Sequence, residues 1–217
     1  MTRKHDPAWV WMIGALGGAL ALAGAVLAGY GTGPVGIGQA VRYTARLSFL
    51  FFWLSYAGGA MAILFGPAFA GLARRARALG LAFAAALQVH IGLVIWLGVV
   101  IGRIPLQGAI LLFFLVALFC TYLLVLLSFG IGTRNLGRLW RPLLFLATTY
   151  ILIAFGRDFV PAALGQNVRY WRFAVEYVPF ALLCLIAIPL RLAAFLRQHF
   201  ELSPVSTKPA RRTLINS

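Results

Sequence analysis

Apolar positions fall in six long runs along the chain, at 8–30, 46–69, 79–101, 106–129, 141–156 and 173–195. Short polar or basic segments separate them. Each run approaches the roughly 20 residues that a helix needs to cross a bilayer. Hydrocarbon leaves a helix as the only open-edged structure whose backbone groups are all satisfied, so every run predicts a helix. The fifth run is short if it stops at Arg157, and "RDFVPAAL" would extend it. The predicted fold is an all-α integral membrane protein, a bundle of six transmembrane helices over residues 1–200. Residues 201–217 read as a basic, disordered tail.

Composition agrees with the pattern. The chain is 62% hydrophobic and 11% charged, too little charge to cover a soluble domain of this size. The net charge of +15 at first suggests a nucleic-acid partner. The basic residues instead sit in small clusters between the apolar runs, which is the signature of membrane topology. Thirteen Lys and Arg fall on one side of the predicted spans, including Arg74, Arg75 and Arg77, and six on the other. The richer side is expected to be cytoplasmic, which puts both termini inside. Cys120 and Cys184 lie within apolar runs without metal-ligand spacing and read as small buried hydrophobes.

The first run begins after "TRK" and passes "ALA" at 21–23, as a signal peptide would, but it continues to Tyr30. That exceeds a typical signal core, so a retained span is expected. The run is also rich in small residues, with Gly14 and Gly18 forming one small-xxx-small pair and Ala21 and Ala25 another. Such pairs allow close backbone approach. They serve either a homodimer through the first helix or packing against a neighbouring span.

Little in the chain could carry chemistry. His90 stands in "LQVHIGLVIWLG", the only histidine at membrane depth; His5 and His199 lie at or beyond the edge. Its helical face includes Ala82, Ala86, Leu87, Val94 and Leu97. The two alanines leave a shallow space for either a flat cofactor or a neighbouring helix. An ionisable group inside a membrane is a functional hypothesis. The alternative is a neutral ring donating one hydrogen bond to a carbonyl on the next helix. The acids Asp6, Asp158, Glu176 and Glu201 are scattered, with no pair suited to acid/base work. Glu176 lies one turn after Arg172, which suits an ion pair. No phosphate loop is present, and a transporter has little support. Trp140, its neighbouring arginines and Pro142 read as an interfacial helix start. The loop "GRDFVPAALGQNVRYWR" reads as a contact for a partner or as a connector anchored by Tyr170 and Trp171.

Three stretches together resemble the ferric reductase-like transmembrane domain family, in particular the haem-binding membrane subunits of periplasmic methionine-sulfoxide reductase systems. They are "RYTARLSFLFFWLSYAGGAM", "RRARALGLAFAAALQVHIGLVIWLG" and "LLSFGIGTRNLGRLWRPLL", and the resemblance covers about residues 40–160. It implies a multi-pass protein of the bacterial inner membrane, with haem b held between the third and fifth helices. It further implies quinone or flavin as electron donor and a periplasmic reductase as partner. His90 falls on a haem-ligand position. The family's histidines on the fifth helix are replaced by Leu144 and Arg157. Leucine does not ligate iron, and arginine has no lone pair to offer. Low-spin haem needs a second axial ligand. Met61 is one substitute, Tyr150 a weaker one, and Arg157 would suit a haem propionate. A five-coordinate haem and a haem shared between protomers are further arrangements. Two expectations follow: a membrane electron carrier using haem on His90, or a haem-free interaction or assembly subunit that has lost the redox site.

Overall fold

The structure, a computed structural model, describes residues 8–103, 106–130, 137–166 and 174–201. Six long helices dominate it: α1 (Ala8–Tyr30), α2 (Pro34–Phe65), α3 (Ala70–Ile101), α4 (Gly108–Ser128), α5 (Trp140–Ala163) and α6 (Ala174–Glu201). Short 3-10 turns, Pro67–Phe69 and Gly137–Leu139, precede α3 and α5. No strand occurs among the described residues. All six helices are long and apolar enough to cross a membrane. Their outward faces carry large apolar side chains such as Ile13, Leu112, Phe119, Leu146 and Leu185. So much exposed apolar surface is a liability in water and costs nothing against lipid tails.

The second helix begins well before the expected edge at residue 46. Pro34 opens it at a position where the missing N–H is harmless. Arg42, ahead of the expected edge, and Arg46, at that edge, therefore both lie well inside the helix. The turn from α1 into α2 is tight. Gly31 holds φ +80, and a Cβ on Gly36 would collide with the Gly31 carbonyl. The fifth helix does take up the extension through Pro161.

Two packed regions hold the bundle. In the first, α1 lays Ala15, Ala19 and Ala23 against Ala82 and Ala86 of α3 and Ala40 of α2. These alanines, four residues apart, let the helix axes approach closely. The pairs singled out from sequence, Gly14 with Gly18 and Ala21 with Ala25, lie on the exposed side of α1 instead. In the second region, Phe49 of α2 is fully buried. Its ring lies 5.1 Å from those of both Phe155 and Phe159 on α5 and 6.1 Å from Phe180 on α6. The Trp53 indole N–H donates to the Leu183 carbonyl at 2.8 Å, tying α2 to α6. Arg75 lies over the Trp11 ring, and Arg197 donates to the Leu64 carbonyl. The starts of α1 and α3 and the ends of α2 and α6 thus share one end of the bundle, called the terminal end below.

Candidate functional site

Among the described residues, three places stand out for their polar chemistry. The first surrounds His90. Its Nδ1 lies 3.0 Å from the Val41 carbonyl oxygen of α2 and 3.5 Å from Thr44 Oγ1. The Thr44 hydroxyl already donates to the Ala40 carbonyl at 2.8 Å. A neutral ring that donates from Nδ1 to Val41 satisfies this geometry. The space that Ala82 and Ala86 leave on the same helix is filled by α1 and α2.

The other residues singled out for a haem do not converge on this ring. Met61 packs against the aromatic core. It lies 20 residues beyond Val41 on the same helix, or ~30 Å at the rise of an α-helix. Arg157 spreads its guanidinium over the Phe113 ring of α4, 5.5 Å from the centroid. Tyr150 donates its hydroxyl to the Phe113 carbonyl at 3.1 Å. Among the described residues no cluster of three His, Cys, Asp or Glu could hold a metal. Among the described residues, His90, Met61 and Tyr150 do not come together as the two axial ligands of one low-spin haem. Of the remaining sequence candidates, His5, Asp6, Arg172, Tyr170, Trp171 and residues 202–217 lie outside the described residues.

The second place is a partly open cavity of about 1040 Å³ between α3 and α5, bordered by the facing halves of α2, α4 and α6. It lies in the terminal half of the bundle. Leu144 is part of its wall, as are Trp140, Phe52 and Phe83. His90 is not. No lining residue is His, Cys, Met, Asp or Glu. Its polar groups include Arg77, Arg191 and the hydroxyls of Thr148 and Thr149. Arg191 stacks 4.1 Å above the Tyr56 ring and donates to Thr148 Oγ1 at 3.3 Å. Thr149 Oγ1 is buried without a hydrogen-bond partner.

The third place lies towards the opposite end. Arg46, 7% exposed, donates to Glu176 Oε2 of α6 at 2.8 Å. Its guanidinium also lies 4.5 Å from the Tyr177 ring centroid. Its Nε and second terminal nitrogen have no hydrogen-bond partner. Asp158 of α5 lies within electrostatic reach of both Arg42 and Arg46. The acid–base pair of Glu176 is therefore with α2, 130 residues away in sequence. An arginine twelve residues inside a helix that starts at Pro34 was the available signal for this cluster. The apolar run expected from residue 46 placed it at the edge of the span.

Cys184 is buried and Cys120 packs on the core, both as free thiols. Compared with family models, with curated proteins and with solved structures, the chain matches none.

Proposed function

We propose that this chain is a haem-free membrane subunit of ferric reductase-like type, retained for binding and interaction within the bilayer. Both termini face the cytoplasm in this reading, which the excess of Lys and Arg on that side supports. The terminal half of the bundle is then the cytoplasmic half, and the membrane is the bacterial inner membrane. One observation carries the reading. The space between α3 and α5, where the family holds its haem, has no His, Cys or Met in its wall, and its one tyrosine, Tyr56, lies under the Arg191 guanidinium. Leucine, threonine and arginine stand there, while His90 turns to α2. A fold keeps its shape when its site changes, so the redox activity does not follow from the bundle.

The electron-carrier reading draws on one feature of His90. A ring donating from Nδ1 to a carbonyl keeps the lone pair on Nε2, the tautomer that metal sites use. A visible spectrum decides between the two. The protein is purified in detergent from haem-replete cells and measured before and after dithionite. The haem-free reading expects no Soret band. A Soret band that shifts on reduction and disappears in His90→Leu would establish the carrier.

A further inference from the structure

We propose that the cavity between α3 and α5 is a binding site for an anionic phospholipid of the cytoplasmic leaflet. The head group lies at Arg191 and Thr149, and an acyl chain fills the apolar wall. The inference deepens the proposed function and rests on it in two respects, that the terminal half faces the cytoplasm and that no cofactor occupies the cavity.

The volume comes first. At about 1040 Å³ the cavity is at the upper end of the roughly 300–1,000 Å³ that ligand sites span. Its wall is mostly apolar, with Phe52, Phe83, Leu124 and Ile151 facing it. An apolar space of this size inside a bilayer is filled by hydrocarbon, because a void forfeits the dispersion contacts of its lining.

The charge decides the head group. Two arginines line the cavity and no acid does. Arg191 spends one N–H on Thr148 and rests on Tyr56, and no carboxylate among the described residues pairs with it. A guanidinium has five N–H donors, so most of its capacity is unspent. On the same cavity wall, Thr149 Oγ1 is a buried hydroxyl with nothing to bond. Buried polar groups are ordinarily satisfied, and an orphaned one marks a missing partner. A phosphate accepts from the guanidinium and neutralises it, and a turn of Thr149 about χ1 brings its hydroxyl to the same group. A zwitterionic head group brings its own cation into a positive site. A free anion would satisfy the polar groups and leave the apolar wall bare. Basic pockets between transmembrane helices at the cytoplasmic face suit anionic lipid heads on these grounds.

The test uses the full chain, delipidated in an uncharged detergent. It is titrated with dioleoyl phosphatidylglycerol, with dioleoyl phosphatidylcholine and with glycerol 3-phosphate. Apparent Kd is read from the rise in thermal midpoint. Phosphatidylglycerol is expected to bind about tenfold more tightly than phosphatidylcholine, the value of one charge-assisted hydrogen bond. Arg191→Gln removes that preference and leaves phosphatidylcholine unchanged. Thr149→Val, which deletes only an unpartnered hydroxyl, weakens phosphatidylglycerol alone. Gly59→Phe pushes a ring into the cavity from a position with nothing within 4 Å of an added Cβ. It weakens both lipids without lowering the lipid-free midpoint. Equal affinity for the two lipids overturns the proposal, as does indifference to Arg191→Gln or Gly59→Phe. Glycerol 3-phosphate binding as tightly as the whole lipid also overturns it, by reducing the site to one for a free anion. A Soret band in the same preparation would count against the haem-free reading and is read separately from every lipid titration.

Discussion

Replacing His90 with leucine separates a structural ring from an iron ligand. Structurally the ring makes one interhelical hydrogen bond, from Nδ1 to the Val41 carbonyl at 3.0 Å. That carbonyl lies inside α2 and also accepts the helix's own N–H four residues on, so leucine leaves no acceptor orphaned. Side-chain hydrogen bonds between membrane helices average about 0.6 kcal/mol and reach about 1.7. Leucine fills most of the ring's volume and removes the cost of holding a polar ring in an apolar seam. The two effects oppose, and the net change is expected to be below about 1 kcal/mol. The assay is unfolding by SDS in mixed micelles, followed by circular dichroism, on wild type and His90→Leu. Ala86→Leu serves as the contrast. That alanine is fully buried in the seam with α1, and its overpacking should cost about 1–3 kcal/mol. A His90→Leu variant less stable than wild type by more than about 3 kcal/mol would refute the reasoning, since one replaceable hydrogen bond is not worth that much.

The charged cluster and the backbone give three further expectations. Glu176→Gln strips the buried Arg46 of its ion-pair partner. The full cost of orphaning a buried charge, about 3–5 kcal/mol, is reduced by the 44% exposure of the Glu176 side chain and by Asp158 nearby. A loss of about 1–2 kcal/mol in the same SDS assay is expected, and no loss would mean that Asp158 alone suffices. Gly36→Ala and Gly59→Ala should move stability in opposite directions. The first drives a methyl into the Gly31 carbonyl, whereas the second enters open space and gains up to about 1 kcal/mol of helix propensity. Two shifts of the same sign would contradict the described turn between α1 and α2. Trp53→Phe deletes the indole bond to Leu183 and should cost about 0.5–1.5 kcal/mol, a value a thermal scan can check.

The helices were legible in the sequence because lipid imposes a one-dimensional rule: about 20 apolar residues with no competing polar pattern mean a span. The same rule misjudged the start of α2. It treats an arginine as a boundary, and Arg46 is held inside by Glu176, a partner brought close only by the fold. Small residues in α1 were legible as a packing stripe, but the stripe used is Ala15, Ala19 and Ala23, one position away from Gly14 and Gly18. A sequence rich in small residues on every face does not say which face meets a neighbour. His90 stood out as a polar ring in an apolar run, and both of its readings were visible. Which one its surroundings favour depended on Val41 and on the alanines of α1, which no local spacing reveals. The cavity was not legible at all. Its wall is assembled from five helices, and Arg191 and Thr149 are unremarkable in their own segments.

The most direct test is native mass spectrometry of the detergent-solubilised chain purified from haem-replete cells. The account predicts the mass of the polypeptide alone and with one anionic phospholipid, the lipid adduct diminished in Arg191→Gln. A stoichiometric protohaem adduct on the wild-type chain, lost in His90→Leu, would contradict it.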